Sequence, residues 1–146
     1  MTDKETDKIE LLSRNGYKKV HTASVRIFSY NKPFIDVKLP DGYSIISLED
    51  ENDYKKINDC LWKGFNHGDN PDDDIDCRIH MQSGPNFRKD LITVIKAPNG
   101  DYACYAGMWF DEKNNYAYLE PLATVPEYRR MGLATIALTI RMKKTK

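Results

Sequence analysis

The chain has 146 residues, of which 40% are hydrophobic and 30% are charged, a balance that fits one globular domain and excludes a disordered polypeptide. Its 22 basic and 22 acidic residues cancel, so no overall field favours nucleic acid or an anionic membrane as a partner. The N-terminus is charged where a signal peptide needs an apolar segment, and no stretch is apolar for long enough to span a bilayer, which predicts a cytoplasmic protein.

The N-terminal part of the sequence predicts a helix, a strand and a connector. Residues 7–15 carry apolar side chains among charges, and Gly16 follows where a glycine often ends a helix. The segment Lys18–Tyr30 alternates and is rich in β-branched and aromatic residues, which favours a strand. Two prolines and an Asp-Gly pair then indicate a connector over residues 31–42.

A second strand and two helices are predicted next. The stretch "YSIISL" predicts a strand, and the acidic segment after it predicts a helix capped by Ser47 or by Glu49 and Asp50. Apolar side chains recur on that helix at helical spacing, at Tyr54, Ile57, Leu61, Trp62 and Phe65. After a polar loop, "CRIHMQSG" predicts a short helix.

Three strand signals follow, in "DLITVIKAP", "DYACYAGMWFD" and "NYAYLEPLATV". The pair Asn99-Gly100 predicts a two-residue turn between the first two, and "EKNN" joins the second to the third. These signals predict an antiparallel meander. A last helix is expected to begin at Pro126 and to end in a cluster of cations that suits a helix C-terminus.

The stretch "EYRRMGLAT" combines the features of a phosphate site at a helix N-terminus. The first amides of a helix lack partners within the helix and carry partial positive charge. Gly132 and Ala134 keep these amides approachable, Arg129 and Arg130 offer charged hydrogen bonds, and Thr135 adds a hydroxyl. The alternative is an ordinary helix start with two solvated arginines.

With its flanks, "LEPLATVPEYRRMGLATIAL" resembles the signature segment of the GNAT superfamily of acetyl-CoA-dependent N-acyltransferases. Arg129, Gly132 and Ala134 lie on the family's Gln/Arg-x-x-Gly-x-Gly/Ala positions. The order of predicted elements is similar as well, and the resemblance covers Leu39 to about Lys144. It implies an α/β (α+β) fold with a mixed, mostly antiparallel central sheet flanked by helices, and it leaves the family's last strands without a counterpart.

The resemblance implies a donor site, an acceptor and a base. Acetyl-CoA is the expected cosubstrate, with its thioester and pantetheine along Leu122–Val125 and its pyrophosphate on the amides of Arg130–Thr135. Glu120 is the candidate general base for a primary amine of a small molecule or peptide; the alternative for Glu120 is a solvated or ion-paired strand acid. The expected cofactor-binding residues are Leu122, Ala123, Thr124, Val125, Arg129, Arg130, Met131, Gly132, Leu133, Ala134 and Thr135.

The chain departs from the family pattern at both ends. The strand, tyrosine-bearing helix and final strands that follow the pyrophosphate helix are not found, so residues 39–146 resemble the first two-thirds of a GNAT domain. Residues 1–38 resemble the end of such a domain, with Leu12 at the position of the tyrosine acid. The chain is therefore either a piece of a tandem protein or one whose N-terminal segment replaces the missing strands, and a homodimer formed through the unpaired strand edge is expected.

No metal site is expected. An EF-hand loop starting at Asp69 would need glycine and glutamate where the chain has Asp74 and His80, so the aspartate-rich loop is either solvated or an acidic lip that attracts a cationic amine. The three histidines and three cysteines show no ligand spacing. The alternative to an enzyme is an inactive GNAT-like module that binds coenzyme A or another protein.

Overall fold

The computed structural model describes residues 2–29 and 31–144, and the chain divides into two compact units, one up to Lys32 and one from Pro33 onwards. In the first unit, helix α1 spans Thr6–Arg14. Gly16 follows it with a φ of +82°, a left-handed conformation that ends helices at little cost for glycine. The predicted first helix is confirmed.

The strand predicted over Lys18–Tyr30 is wrong for residues 18–29, which form no strand; Tyr30 lies outside the described residues. Val20, Val25 and Ile27 are all more than four-fifths exposed. β-branched residues favour a strand only where a neighbouring strand pairs with the backbone and covers one face. Residues 18–29 belong to no described strand, so the alternation of the sequence does not produce one here.

The second unit is built on a four-stranded antiparallel sheet in the order β1-β2-β3-β4. The strands are β1 Ser44–Ser47, β2 Thr93–Lys96, β3 Tyr102–Asp111 and β4 Tyr116–Thr124. The meander is confirmed, but its first turn is longer than predicted. The Ala97 amide donates to the Asp101 carbonyl oxygen at 2.9 Å, so residues 98–100 form the loop, and Gly100 takes the left-handed position with φ +90°.

Helices cover both faces of the sheet. Helix α2 (Tyr54–Gly64) lies on one face and α4 (Leu133–Lys144) on the other. Helix α3 (Asp76–Gln82) lies beside α2, where Arg78 donates to Asn58. Side chains alternate between the two cores because successive strand residues point to opposite faces: Val94 and Tyr105 pack with α2, whereas Ile95 and Cys104 pack with α4. The predicted fold class is confirmed.

Helix α2 begins later than the sequence predicts. Its N-cap is Asp53, whose carboxylate accepts the Lys56 amide at 3.0 Å. Asp50 instead accepts the amide and hydroxyl of Ser47 at 2.8 and 2.7 Å, which closes a turn between β1 and the helix. The prediction that Ser47 or Glu49 and Asp50 cap the helix is therefore wrong, because the Ser47 hydroxyl is used in this earlier turn.

Helix α4 begins at Leu133, so the predicted start at Pro126 is wrong. Pro126–Tyr128 form a single 3₁₀ turn, and Arg130 and Gly132 then take φ values of +66° and +78°. A left-handed residue cannot continue a right-handed helix. The chain therefore makes an exposed loop over residues 129–132 before the helix starts.

A bulge interrupts the pairing of β3 with β4. The register shifts between Ala106 and Met108, where Glu120 and Pro121 of β4 lie opposite the single residue Gly107. A Cβ atom at Gly107 would lie 2.4 Å from the Glu120 carbonyl oxygen. The close approach of the two strands at the bulge therefore requires glycine.

Candidate functional site

The end of β4 presents unpaired backbone groups on the side away from β3. The Val125 amide donates to the Ala103 carbonyl oxygen at 3.0 Å, and bonded and non-bonded pairs alternate along antiparallel strands. The N–H and C=O groups of Leu122 and Thr124 therefore point away from β3. Among the described residues only the Thr124 carbonyl has a partner there, the Nε of Arg129 at 3.1 Å. We call this side the open edge of β4.

A second set of unpaired groups lies where the chain enters α4. Within residues 2–29 and 31–144, the amides of residues 130–135 have no acceptor, and the first such bond is from Ile136 to the Gly132 carbonyl oxygen at 3.0 Å. A Cβ built at Gly132 would meet no atom within 4 Å. Unpaired amides at a helix start, next to left-handed residues, form a concavity suited to an anion. We call residues 130–135 the amide cradle.

The two arginines before the cradle have different roles. The guanidinium of Arg129 donates through Nη2 to the Gly64 carbonyl oxygen at 3.0 Å and to Asn66 Oδ1 at 2.9 Å, in addition to its bond to Thr124. It thus joins the end of α2 to the end of β4. Arg129 is thus engaged by the protein itself through Nε and Nη2, whereas Arg130 is exposed in the loop before α4. Phosphate binding by either guanidinium group stays a prediction.

A pocket of about 520 Å³ lies beside the bulge, within the size range of small-molecule sites. Its lining residues are Leu61, Phe65, Arg78, Met81, Trp109, Tyr118, Glu120 and Pro121, and we call it the bulge pocket. Trp109 Nε1 donates to the Glu120 carbonyl oxygen at 2.8 Å, which holds the bulge in position. A hydrogen bond to Glu120 raises the pKa of the Tyr118 hydroxyl.

The pocket contains functional candidates that the sequence did not single out. Arg78 comes from the short helix α3, and Trp109 comes from β3. The signal for Arg78 was weak, because one half-buried cation on a short helix has no pattern of its own. Only the folded arrangement brings Arg78 and Glu120 to one cavity.

The buried cysteines offer no nucleophile. Burial raises the pKa of the thiols of Cys60 and Cys104, and both residues are at most 1% exposed. A thiol is nucleophilic as the thiolate, which burial disfavours. In the described part of the chain, no three His, Cys, Asp or Glu residues are grouped so that they could hold a metal ion. Within the same described residues, no helix is both long enough and apolar enough to cross a membrane.

Two solved structures resemble the chain in fold. A GCN5-related N-acetyltransferase from Sphaerobacter thermophilus has a TM-score of 0.74 at 11% identity, over 99% of this chain and 45% of that one. The ribosomal-protein-S18-alanine N-acetyltransferase from Escherichia coli has a TM-score of 0.53 at 19% identity, over 70% of this chain and 59% of that one. The chain thus spans about half the length of these proteins.

The sequence comparisons identify the family. No curated protein sequence matches the chain. Residues 54–144 match the model of the acetyltransferase (GNAT) family, and this segment runs from the start of α2 to the end of α4. It includes the bulge, the open edge of β4 and the amide cradle. The chain belongs to the GNAT family of acetyltransferases.

Proposed function

We propose that the chain transfers an acetyl group from acetyl-CoA to a primary amine of a small molecule or peptide. The observation that carries this proposal is the junction of two surfaces of unpaired backbone groups, the open edge of β4 and the amide cradle. Both belong to one continuous segment, residues 122–135, and the bulge pocket with Glu120 directly precedes it.

The two backbone surfaces match the two halves of the donor. Amide groups of a pantetheine chain pair with Leu122 and Thr124 as an added strand pairs with an exposed edge. The diphosphate accepts hydrogen bonds from the amides of the cradle, and Arg130 contributes positive charge beside them. Gly132 leaves these amides accessible, since a side chain there would extend into the space that the diphosphate takes.

Glu120 is the proposed catalytic base. An amine in the bulge pocket arrives as an ammonium and loses a proton to the Glu120 carboxylate before its nitrogen attacks. The carbon–nitrogen bond to the acetyl group forms and the carbon–sulfur bond of the thioester breaks. The nitrogen then loses its second proton to solvent, and solvent protonates the departing thiolate. Leu12 cannot supply that proton, so no side-chain acid is assigned.

The experiment combines donor binding with turnover. We expect acetyl-CoA to raise the unfolding temperature of the protein and a panel of primary amines to release free thiol from it. Glu120→Gln should lower kcat by about 10²- to 10⁴-fold with little change in donor binding, and higher pH should restore part of the rate by deprotonating the amine. Glu49→Gln, an exposed acid outside the pocket, is the matched control. Absence of both donor binding and thiol release would refute the proposal.

The second candidate is an inactive module that binds coenzyme A or a protein. Two observations favour it. Leucine stands at the position of the family's tyrosine acid, and the chain spans only about half the length of the two related structures. A temperature shift with acetyl-CoA and no thiol release from any amine would support it over the enzyme.

Three further expectations stay predictions. A homodimer is supported by the position of β4 at the edge of the sheet, through the part of that edge beyond Leu122 and Thr124, and light scattering after size exclusion measures it. A cytoplasmic location is supported by three free cysteines, of which two are buried. The division at residue 38 into the end of one GNAT domain and the start of another is the third.

A further inference from the structure

We infer that the acceptor is a free amino acid with an apolar side chain, held in the bulge pocket by Arg78 and Glu120. This inference rests on the proposed function and names its substrate class. Two opposite charges line the same pocket, and they form no ion pair with each other among the described residues. A zwitterion meets both charges at once.

The walls of the pocket suit an apolar side chain. Apart from the two charged groups, every lining residue is apolar or aromatic. Phe65 and Tyr118 are 48% and 57% exposed, so a ligand in the pocket would cover apolar surface that is now in contact with water. Covering such surface favours a ligand with an apolar body over a polar polyamine.

Arg78 is held in place through its Nε and keeps both Nη groups available for a ligand. Its Nε donates to Asn58 Oδ1 at 3.0 Å, and Asn58 Nδ2 donates to the Asp72 carbonyl oxygen at 2.6 Å. These bonds fix the plane of the guanidinium group. Its two Nη groups have no partner within residues 2–29 and 31–144. A fixed guanidinium with two open Nη groups is suited to a carboxylate, which it binds through two parallel hydrogen bonds.

Glu120 receives the other end of the same molecule. The α-ammonium of an amino acid pairs with the carboxylate and then transfers its proton to it, which leaves the α-nitrogen ready to attack. The acetyl carbon exchanges its bond to sulfur for a bond to this nitrogen, and the products are an N-acetyl amino acid and free thiol. An amine without a carboxylate would leave Arg78 partly buried and unpaired, which disfavours its binding.

Binding of phenylalanine and its analogues, measured by calorimetry without acetyl-CoA, tests the inference separately from donor binding. The analogues are phenethylamine, which lacks the carboxylate, phenylalaninamide, which mimics a peptide N-terminus, and 3-phenylpropionate, which lacks the amine. We expect phenylalanine to bind at least about tenfold more tightly than each analogue, as expected when a charged partner is lost. Arg78→Gln should remove the preference over phenethylamine and phenylalaninamide, whereas the control Arg88→Gln, outside the pocket, should keep it.

Other outcomes overturn the inference. Equal or tighter binding of phenylalaninamide would indicate a peptide N-terminus, and tighter binding of phenethylamine would indicate a simple amine. If phenylalanine does not bind while other amines release thiol from acetyl-CoA, the inference fails and the proposed function stands. If acetyl-CoA neither binds nor reacts while phenylalanine binds with the expected preference, the proposed function fails and the recognition of an amino acid remains.

Discussion

A carboxylate at position 132 tests the amide cradle most directly. Gly132 has a φ of +78°, and a Cβ there meets no atom within 4 Å, so a side chain at this position strains the backbone without a clash. Asp and Asn have nearly the same shape and tolerate left-handed backbone better than other non-glycine residues. The pair Gly132→Asp and Gly132→Asn therefore has matched strain and differs in one negative charge.

The exposure of Gly132 sets the strength of the repulsion expected between an aspartate at this position and the bound diphosphate. Two unit charges at a separation of about 4 Å interact by about 1 kcal/mol in water and about 4 kcal/mol near a protein surface. Because residue 132 is exposed, repulsion of a bound diphosphate should lie toward the lower value, at about 1–2 kcal/mol. We expect the aspartate variant to bind acetyl-CoA about 5- to 30-fold more weakly than the asparagine variant.

Chemical unfolding with and without acetyl-CoA measures this difference. A ligand at about 100 times its dissociation constant adds about 2.7 kcal/mol to the free energy of unfolding, and a tenfold loss of affinity reduces that gain to about 1.4 kcal/mol. The unliganded variants should be equally stable. If acetyl-CoA stabilises the Asp and Asn variants equally, the diphosphate does not lie at the cradle, and this assignment is refuted.

Three further predictions concern the fold. Gly107→Ala should destabilise the protein by about 1–3 kcal/mol, because its Cβ would meet the Glu120 carbonyl; unchanged urea unfolding would contradict the bulge. Arg141 is 2% exposed and donates to the Asp90 and Ile92 carbonyls and to the Thr93 hydroxyl. Arg141→Met leaves these buried acceptors unpaired and should lower the free energy of unfolding by about 2–4 kcal/mol. A variant as stable as the original protein would refute this. The hydrogen bond from Lys96 lowers the pKa of the Glu51 carboxyl below its ordinary value of 4.5. The ionised carboxylate therefore stabilises the fold above pH 4.5, and this contribution is lost as pH falls through the lowered pKa. Glu51→Gln should flatten this acid-side loss of stability, and an unchanged pH profile would exclude the pair as its cause.

Much of the second unit was predictable because its signals are local. Strands β2, β3 and β4 follow one another through short connections, so each apolar run has its partner nearby in the sequence. The start of α2 was not predictable to the residue, since Ser47, Asp50 and Asp53 are all good caps and only the turn after β1 decides among them. The strand predicted in the N-terminal segment was wrong because alternation favours a strand but does not show whether another strand is present to pair with it.

The candidate site also has a part that could be predicted from one local motif and parts that depend on contacts between distant segments. The amide cradle lies within one short motif, so Gly132 and its neighbours could be predicted as a candidate site from the sequence, and their binding of a diphosphate stays a prediction. The engagement of Arg129 by Gly64 and Asn66 depends on a contact between segments far apart in the sequence. The bulge pocket draws its walls from α2, α3, β3 and β4, and no local pattern brings four elements together.

The bulge at Glu120 and Pro121 decides which side of the sheet the proposed base occupies. Odd-numbered and even-numbered residues of an unbroken strand face opposite sides. Ala123 packs on the α2 side, and counting back by twos would put Leu119 there as well; instead Leu119 joins the α4 side, and Tyr118 and Glu120 line the pocket. One extra residue thus exchanges the sides that odd-numbered and even-numbered residues of β4 face before and after the bulge. An unbroken β4 of the same sequence would place Glu120 on the α4 side, whereas deletion of Pro121 would remove the bulge and leave the carboxylate of Glu120 on the pocket side.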